Sequence, residues 1–250
     1  MSGTDVPRPS AVPVVLLPGM LCSGLLWRAQ TERLERLTEV RTVTLTGDSI
    51  EAMADDVLSL PCPRFALAGL SLGGIVAMAV ARRAPERITR LALLSTSARP
   101  PRPEQRAGWD AMAQRTKAGE FDRITPESLL PHLLHPAHAG DPVLRGTVLE
   151  MADRTGPDVF LRQLAAQHSR TDLRPGLREV RCPTLVVAGE DDPLAPLAAH
   201  REIADAVAGA RLETLPATGH LTPLERPAEV TELLVRWLTD EAMGIRDAGC

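Results

Sequence analysis

Short apolar runs alternate along this chain with amphipathic stretches, the pattern of a parallel sheet covered by helices. Val12–Leu17, Arg41–Leu45, Arg64–Ala68 and Leu91–Leu94 read as strands. Between them, Leu25–Leu37, Ile50–Leu60 and Leu72–Ala84 read as helices. Ile50, Met53, Val57 and Leu60 share one helical face. Arg82 and Arg83 occupy the last turn of the third helix, and Pro85 stops it. The alternation then breaks off. From Ala98 to Leu177 the chain is rich in Pro, Arg and His, with helical patches and no convincing strand. It resumes with a strand at Pro183–Ala188, a helix at Leu197–Val207 and a strand at Arg211–Leu215. A final helix opens at Pro227, and Val230, Leu233, Leu234, Trp237 and Leu238 form its apolar stripe. The tail Asp240–Cys250 is expected to fray, and there are no repeats or low-complexity segments.

The expected fold is therefore α/β: a doubly wound, mostly parallel sheet of about six strands with a helical insertion. Residues 1–97 and 178–250 make the core, and residues 98–177 interrupt it once. An interruption of this length is too long for a plain loop in a compact domain and reads as a cap or lid. Insertions at sheet ends shape the site beneath them.

Composition narrows the partners. The 250 residues carry 28 Lys+Arg against 32 Asp+Glu, a net charge of −4 with both signs interspersed. That removes the basic footprint of a nucleic-acid binder. Three Phe, three Trp and no Tyr leave little to stack against bases. Lys117 is the only lysine, so an internal Schiff base has one unpromising candidate. Cys22, Cys62, Cys182 and Cys250 lie far apart and read as reduced thiols rather than a disulfide or zinc framework. Pro13, Pro18, Gly19 and Gly24 break the apolar stretch Ala11–Trp27, which argues against a signal peptide. No run reaches the roughly 20 apolar residues of a membrane helix. The expectation is a cytoplasmic protein without a membrane partner, its oligomeric state open.

The most informative stretch is Gly69-Leu70-Ser71-Leu72-Gly73, directly after one strand and directly before a helix. That context is what a nucleophile elbow requires. The serine must sit on a sharp, strained turn, and flanking side chains would collide with neighbouring backbone. Such a turn lifts the Ser71 hydroxyl out of the sheet and aims the Leu72 N–H at a developing oxyanion. Of the six histidines, His220 follows the last strand in the turn-rich Pro216-Ala217-Thr218-Gly219 and precedes the last helix. A loop there brings an imidazole within reach of the serine as general base. His200, amid Ala and Arg on a helix, reads as solvated. His132, His135 and His138 recur every three residues, but Pro131 and Pro136 break the helix a metal site would need. They read as a solvated or substrate-facing patch, and no metal is expected. The orienting acid comes from Glu190, Asp191 or Asp192, directly after a strand; the end of Leu91–Leu94 offers only Ser95, Thr96 and Ser97.

With these pieces the sequence resembles the α/β-hydrolase fold family of serine hydrolases over nearly its whole length. The matching segments are Leu16-Leu17-Pro18-Gly19-Met20, the Ser71 elbow, Val187-Ala188-Gly189-Glu190-Asp191-Asp192 and Gly219-His220-Leu221. They run in the family's order of nucleophile, acid and histidine. The resemblance implies Asp192, three residues past Gly189 and followed by Pro196, as the acid. It also implies the Met20 N–H as the second oxyanion donor beside Leu72. The sequence departs from the family in having Pro18 before the first-loop glycine, where a His is common, and in lacking the usual leading hairpin.

The implied activity is a cofactor-free serine hydrolase acting on an ester, thioester or lactone through an acyl-enzyme. The expected partner is a small molecule with an apolar acyl or alkyl group. Trp109, Met112, Phe121, Leu129, Leu133 and Phe160 of the insertion are the expected apolar lining. Cys22 lies near the site without an activating neighbour and reads as structural. The same triad serves elimination, acyl transfer, perhydrolysis and C–C cleavage, and a binding protein that lost catalysis is a further alternative.

Overall fold

A computed structural model of the chain describes residues 12–239. Its strands are β1 (Val14–Leu17), β2 (Val40–Thr42), β3 (Phe65–Leu70), β4 (Ile88–Leu94), β5 (Thr184–Gly189) and β6 (Arg211–Leu215). They form one sheet in the order β2-β1-β3-β4-β5-β6, and every neighbouring pair is parallel. The winding reverses at β1, which lies between β2 and β3. In an open parallel sheet the crevice beyond the strand ends at such a reversal is where ligands bind.

The helices are α1 (Arg28–Leu34), α2 (Ile50–Leu58), α3 (Leu72–Arg83), α4 (Pro103–Lys117), α5 (Phe121–Ile124), α6 (Leu130–Leu133) and α7 (Pro142–His168). They are followed by α8 (Arg174–Leu177), α9 (Leu197–Ala206), α10 (Thr222–Glu225) and α11 (Pro227–Thr239). A 3₁₀ turn, Gly24–Trp27, leads into α1, and a π-helical turn, Thr125–Leu129, joins α5 to α6.

Alternation along the strands sorts the core into two layers. Val15, Leu17, Leu67, Leu93 and Val186 pack with Met53 of α2, Val76 and Val80 of α3, and Ile203 of α9. Val14, Leu16, Ala68, Leu94 and Val187 pack on the opposite face with Trp27, Leu34, Leu234 and Trp237. β1, β3 and β5 are buried at every position, as expected of strands covered on both faces. Each fully buried aliphatic side chain contributes roughly 1.5–3 kcal/mol.

The segment between β4 and β5 contains only helices among the described residues. α7 bends at Gly156 (φ 75°, ψ 165°), where the following Pro157 has no N–H to continue the ladder. At the end of this segment Leu173 and Leu177 join the main core, and α8 packs against α3 and α9.

Three elements depart from expectation by three residues. β2 ends at Thr42 because it is an edge strand with one partner. β4 begins three residues earlier, at Ile88; Arg90 interrupts the apolar run, and its guanidinium donates to the Trp237 carbonyl at 2.8 Å. The helix expected at Leu25–Leu37 is shorter, because Ser23 caps the 3₁₀ turn first and the α-helix closes at Leu34. The Asp240–Cys250 tail and the Cys250 thiol lie outside the described residues. No described helix is long and apolar enough to cross a membrane.

Candidate active site

Four non-glycine residues among those described hold a left-handed backbone: Leu21, Ser71, Ser95 and Ala217. Each lies shortly beyond a strand end, after β1, β3, β4 and β6 respectively. Such conformations cost of order 1–3 kcal/mol each and persist only where surroundings over-determine them. The strain therefore collects along the carboxyl edge of the sheet.

Ser71 is the tightest case, with φ 54° and ψ −112° between β3 and α3. Its N–H donates to the Leu94 carbonyl (3.0 Å), and its own carbonyl accepts from Thr96 Oγ1 (2.8 Å). Glycines make the turn possible. A Cβ on Gly69 would lie 2.3 Å from the Gly73 carbonyl oxygen, and one on Gly73 the same distance from that of Leu17. As the first residue of α3, Leu72 has an N–H without an intrahelical acceptor, so it is free for a ligand.

The second element is a buried acid–base pair. His220 Nδ1 stands 2.8 Å from Asp192 Oδ2, and both residues are buried. The other carboxylate oxygen accepts from the N–H groups of Leu194 (2.8 Å) and Ala195 (3.0 Å). Burial would push the Asp192 carboxyl up. The charge and hydrogen bond of His220, joined by the two backbone donors, outweigh it and hold the group below the ordinary carboxylate range. The ionised acid thus fixes Nδ1 as the protonated nitrogen and leaves Nε2 as the acceptor. Asp191 is exposed; its Oδ2 lies 3.4 Å from His135 Nε2, and its N–H donates to the Thr218 carbonyl.

Ser71 and His220 open onto one cavity of about 680 Å³. Gly19 and Met20 line it from the turn after β1, and Trp109, Met112, Leu129 and Leu133 from the inserted helices. Two expected lining residues lie elsewhere. Phe121 and Phe160 pack against one another with tilted rings, centroids 5.9 Å apart, beside Ile124 and Leu164. An inserted helical layer needs an apolar core of its own; Phe160 makes it with Trp109, Ile124, Ala152 and Leu164, and Phe121 packs against them. Cys22 borders the cavity, but burial pushes its thiol up to about 12 despite the Gly19 backbone contact, so no thiolate nucleophile is available there.

The histidine patch divides. His132 faces the cavity, whereas His138 Nδ1 lies 2.9 Å from the buried Glu225, whose carboxylate also accepts from the His135 N–H. His200 corrects the sequence reading: it is wholly buried, not solvated. Its Nε2 accepts from the Thr96 N–H at 3.1 Å, and its Nδ1 lies 3.3 Å from the Pro196 carbonyl. Burial pulls its basicity down, which keeps the ring neutral and the acceptor available. His200 thus anchors Thr96, which in turn holds the Ser71 carbonyl. Gln163 was not foreseen either. It bridges the strained Leu21 N–H (2.9 Å) and the Leu45 carbonyl, tying the turn after β1 to α7.

Comparison with known proteins places this chain among hydrolases. Residues 14–233 match the model of the "Alpha/beta hydrolase family". A pimeloyl-[acyl-carrier protein] methyl ester esterase of Aromatoleum aromaticum is 32% identical, over 88% of this chain and 96% of that protein. A thermophilic esterase from Thermogutta terrifontis superposes with a TM-score of 0.84 at 28% identity, covering 92% of this chain and 90% of its own. The enol-lactonase from Burkholderia xenovorans does so with a TM-score of 0.84 at 27% identity and 94% coverage of each chain.

Proposed function

The chain belongs to the alpha/beta hydrolase family, and on that footing we propose that it is a cofactor-free serine hydrolase of esters, thioesters or lactones. The observation that carries this reading is the buried Asp192–His220 pair opening onto the same cavity as the strained Ser71. The relatives that are an esterase and a lactonase support the substrate class.

In this mechanism Ser71 Oγ attacks the substrate carbonyl while His220 Nε2 takes its proton. The oxyanion of the tetrahedral intermediate rests on the N–H groups of Met20 and Leu72. Imidazolium formation is favoured by ionised Asp192. His220 then protonates the departing alcohol, thiol or lactone oxygen as the carbonyl–leaving-group bond breaks. A water, deprotonated by His220, attacks the acyl-enzyme and releases the acid, restoring the serine proton. The insertion supplies the acyl or alkyl pocket through Trp109, Met112, Leu129 and Leu133.

The test is direct. A fluorophosphonate should label Ser71, and Ser71→Ala should abolish labelling. Turnover of p-nitrophenyl esters should fall by roughly 10⁴–10⁶ in that variant. Activity within tenfold of the unmodified protein overturns the reading.

A further inference from the structure

The cavity wall carries charge out of balance. Four arginines line it, Arg99, Arg102, Arg115 and Arg170, against one carboxylate among the described residues, the exposed Glu104. Two of the four are neutralised nearby: Arg99 pairs with Glu202 (2.8 Å), and Arg115 with Glu120 (2.8 Å) and Glu127 (2.7 Å). Arg102 and Arg170 have no carboxylate within ion-pair range among the described residues.

Arg170 is half-buried. Its Nη1 donates to Gln167 Oε1 (3.1 Å) and its Nη2 to the Arg99 carbonyl (2.9 Å), both neutral acceptors. Its Nε is buried and has no partner. Burial, and after it the charge of Arg106, pulls the guanidinium down to about 10, so it remains charged at neutral pH. Arg106 brings no anion either, since its Nη1 donates to the His168 carbonyl (3.0 Å). His168 has Asp110 Oδ1 at 3.1 Å from its Nε2. A half-buried cation without a counter-charge gains when something anionic meets it.

Its place is close to the chemistry. Thr96 holds the Ser71 carbonyl, and Arg99, which accepts from Arg170, is three residues further along the same loop. An extended chain of that length spans at most roughly 10 Å. We propose that Arg170 and Arg102 form an anion subsite, and that the substrate carries a carboxylate remote from its scissile carbonyl. The planar fork of Arg170 suits a carboxylate through its Nη groups, while the exposed Arg102 attracts the anion at the rim. The apolar wall between subsite and Ser71 then takes the connecting hydrocarbon.

The inference rests on the hydrolase reading for its substrate, though not for its binding. Two series separate where the carboxylate lies: mono-p-nitrophenyl esters of glutaric to pimelic acids, and acetate esters of ω-hydroxy acids, each beside the neutral ester of equal length. The unmodified enzyme should favour the charged member of one series by about tenfold or more in kcat/KM. In Arg170→Gln that ratio should fall by about the same factor through KM, and Arg170→Lys should restore part of it. Equal losses on charged and neutral esters would make Arg170 a brace for the Arg99 loop and overturn the proposal. So would the absence of a preference in both series. If no ester is turned over at all, calorimetry still decides. Adipate should bind the unmodified protein and not Arg170→Gln, and no binding to either refutes the subsite.

Discussion

The two walls of the cavity use glycine in opposite ways. On the wall made by strand ends, glycine marks backbone pressed against backbone: a Cβ on Gly73 would meet the Leu17 carbonyl, and one on Gly189 the Gly219 carbonyl at 2.1 Å. In the inserted helical segment, where Gly108 lines the cavity, Gly108, Gly119, Gly140, Gly146 and Gly156 have nothing within 4 Å of where a Cβ would stand. The first wall is over-determined and holds the strained Ser71. The second is slack, with a π-helical turn and a bend at Gly156. In the proposed mechanism the nucleophile sits where the backbone cannot yield, and the substrate pocket where it can.

That contrast can be tested at decreasing scale. The largest effect belongs to the rigid wall's polar pair. Asp192→Asn should lower kcat/KM on the order of 10³–10⁴ by favouring the wrong imidazole tautomer, whereas the exposed neighbour Asp191→Asn should cost less than about tenfold. The reverse ranking would assign the acid to Asp191. Next, Gly73→Ala forces backbone apart at the elbow and should destabilise the fold by about 3 kcal/mol or more, measured by urea unfolding. A loss below about 1 kcal/mol would mean the elbow is as pliable as the helical wall.

A smaller effect concerns His200. Its folded basicity is lowered by burial, so the unfolded chain binds its proton first as pH falls. Stability from the neutral ring is fully present above pH of about 6.5 and is lost on acidification below it. Asp192, shifted downward, contributes nothing to the slope in this window, since its contribution declines only below the ordinary carboxylate range. His200→Gln keeps an acceptor for Thr96 and should flatten the fall in melting temperature between pH 7 and 5. An unchanged slope would assign it to other groups. The smallest effect is on the slack side: Gly146→Ala in α7 should stabilise by about 0.5–1 kcal/mol with activity intact, since nothing opposes the added methyl.

What the sequence made legible was local. The elbow is a strand, a turn and a helix within twenty residues, and its glycines announce the close approach that the structure contains. The carboxylate that pairs with His220 was picked out by its distance past Gly189 once the family pattern was applied. Side chains that brace the site from afar were not. Thr96 and His200 are 104 residues apart, and Leu21 and Gln163 are 142 apart. One signal was available: His200 and Ile203 share the buried face of α9, so a histidine at that position had to find a partner inside. Nothing comparable distinguished Phe160 from Trp109. Both are aromatic residues in helical insertion segments, and only packing tells a wall from an interior.

Gly219 marks the seam between the two walls. A Cβ there would press on the His135 N–H (2.7 Å) and the Leu134 carbonyl carbon (2.9 Å), while the N–H groups of His220 and Leu221 both donate to the Leu133 carbonyl. Glu225 clamps the same stretch through His135 and His138. The helical layer is thus not an exchangeable module. A chimera that swaps it for a relative's at the neck, near Ala98 and Leu173, inherits a stranger's backbone beneath its own His220. Residues 133–138, Gly219 and Glu225 therefore have to travel together, as one unit of inheritance, for a new specificity to arrive with its base still in place.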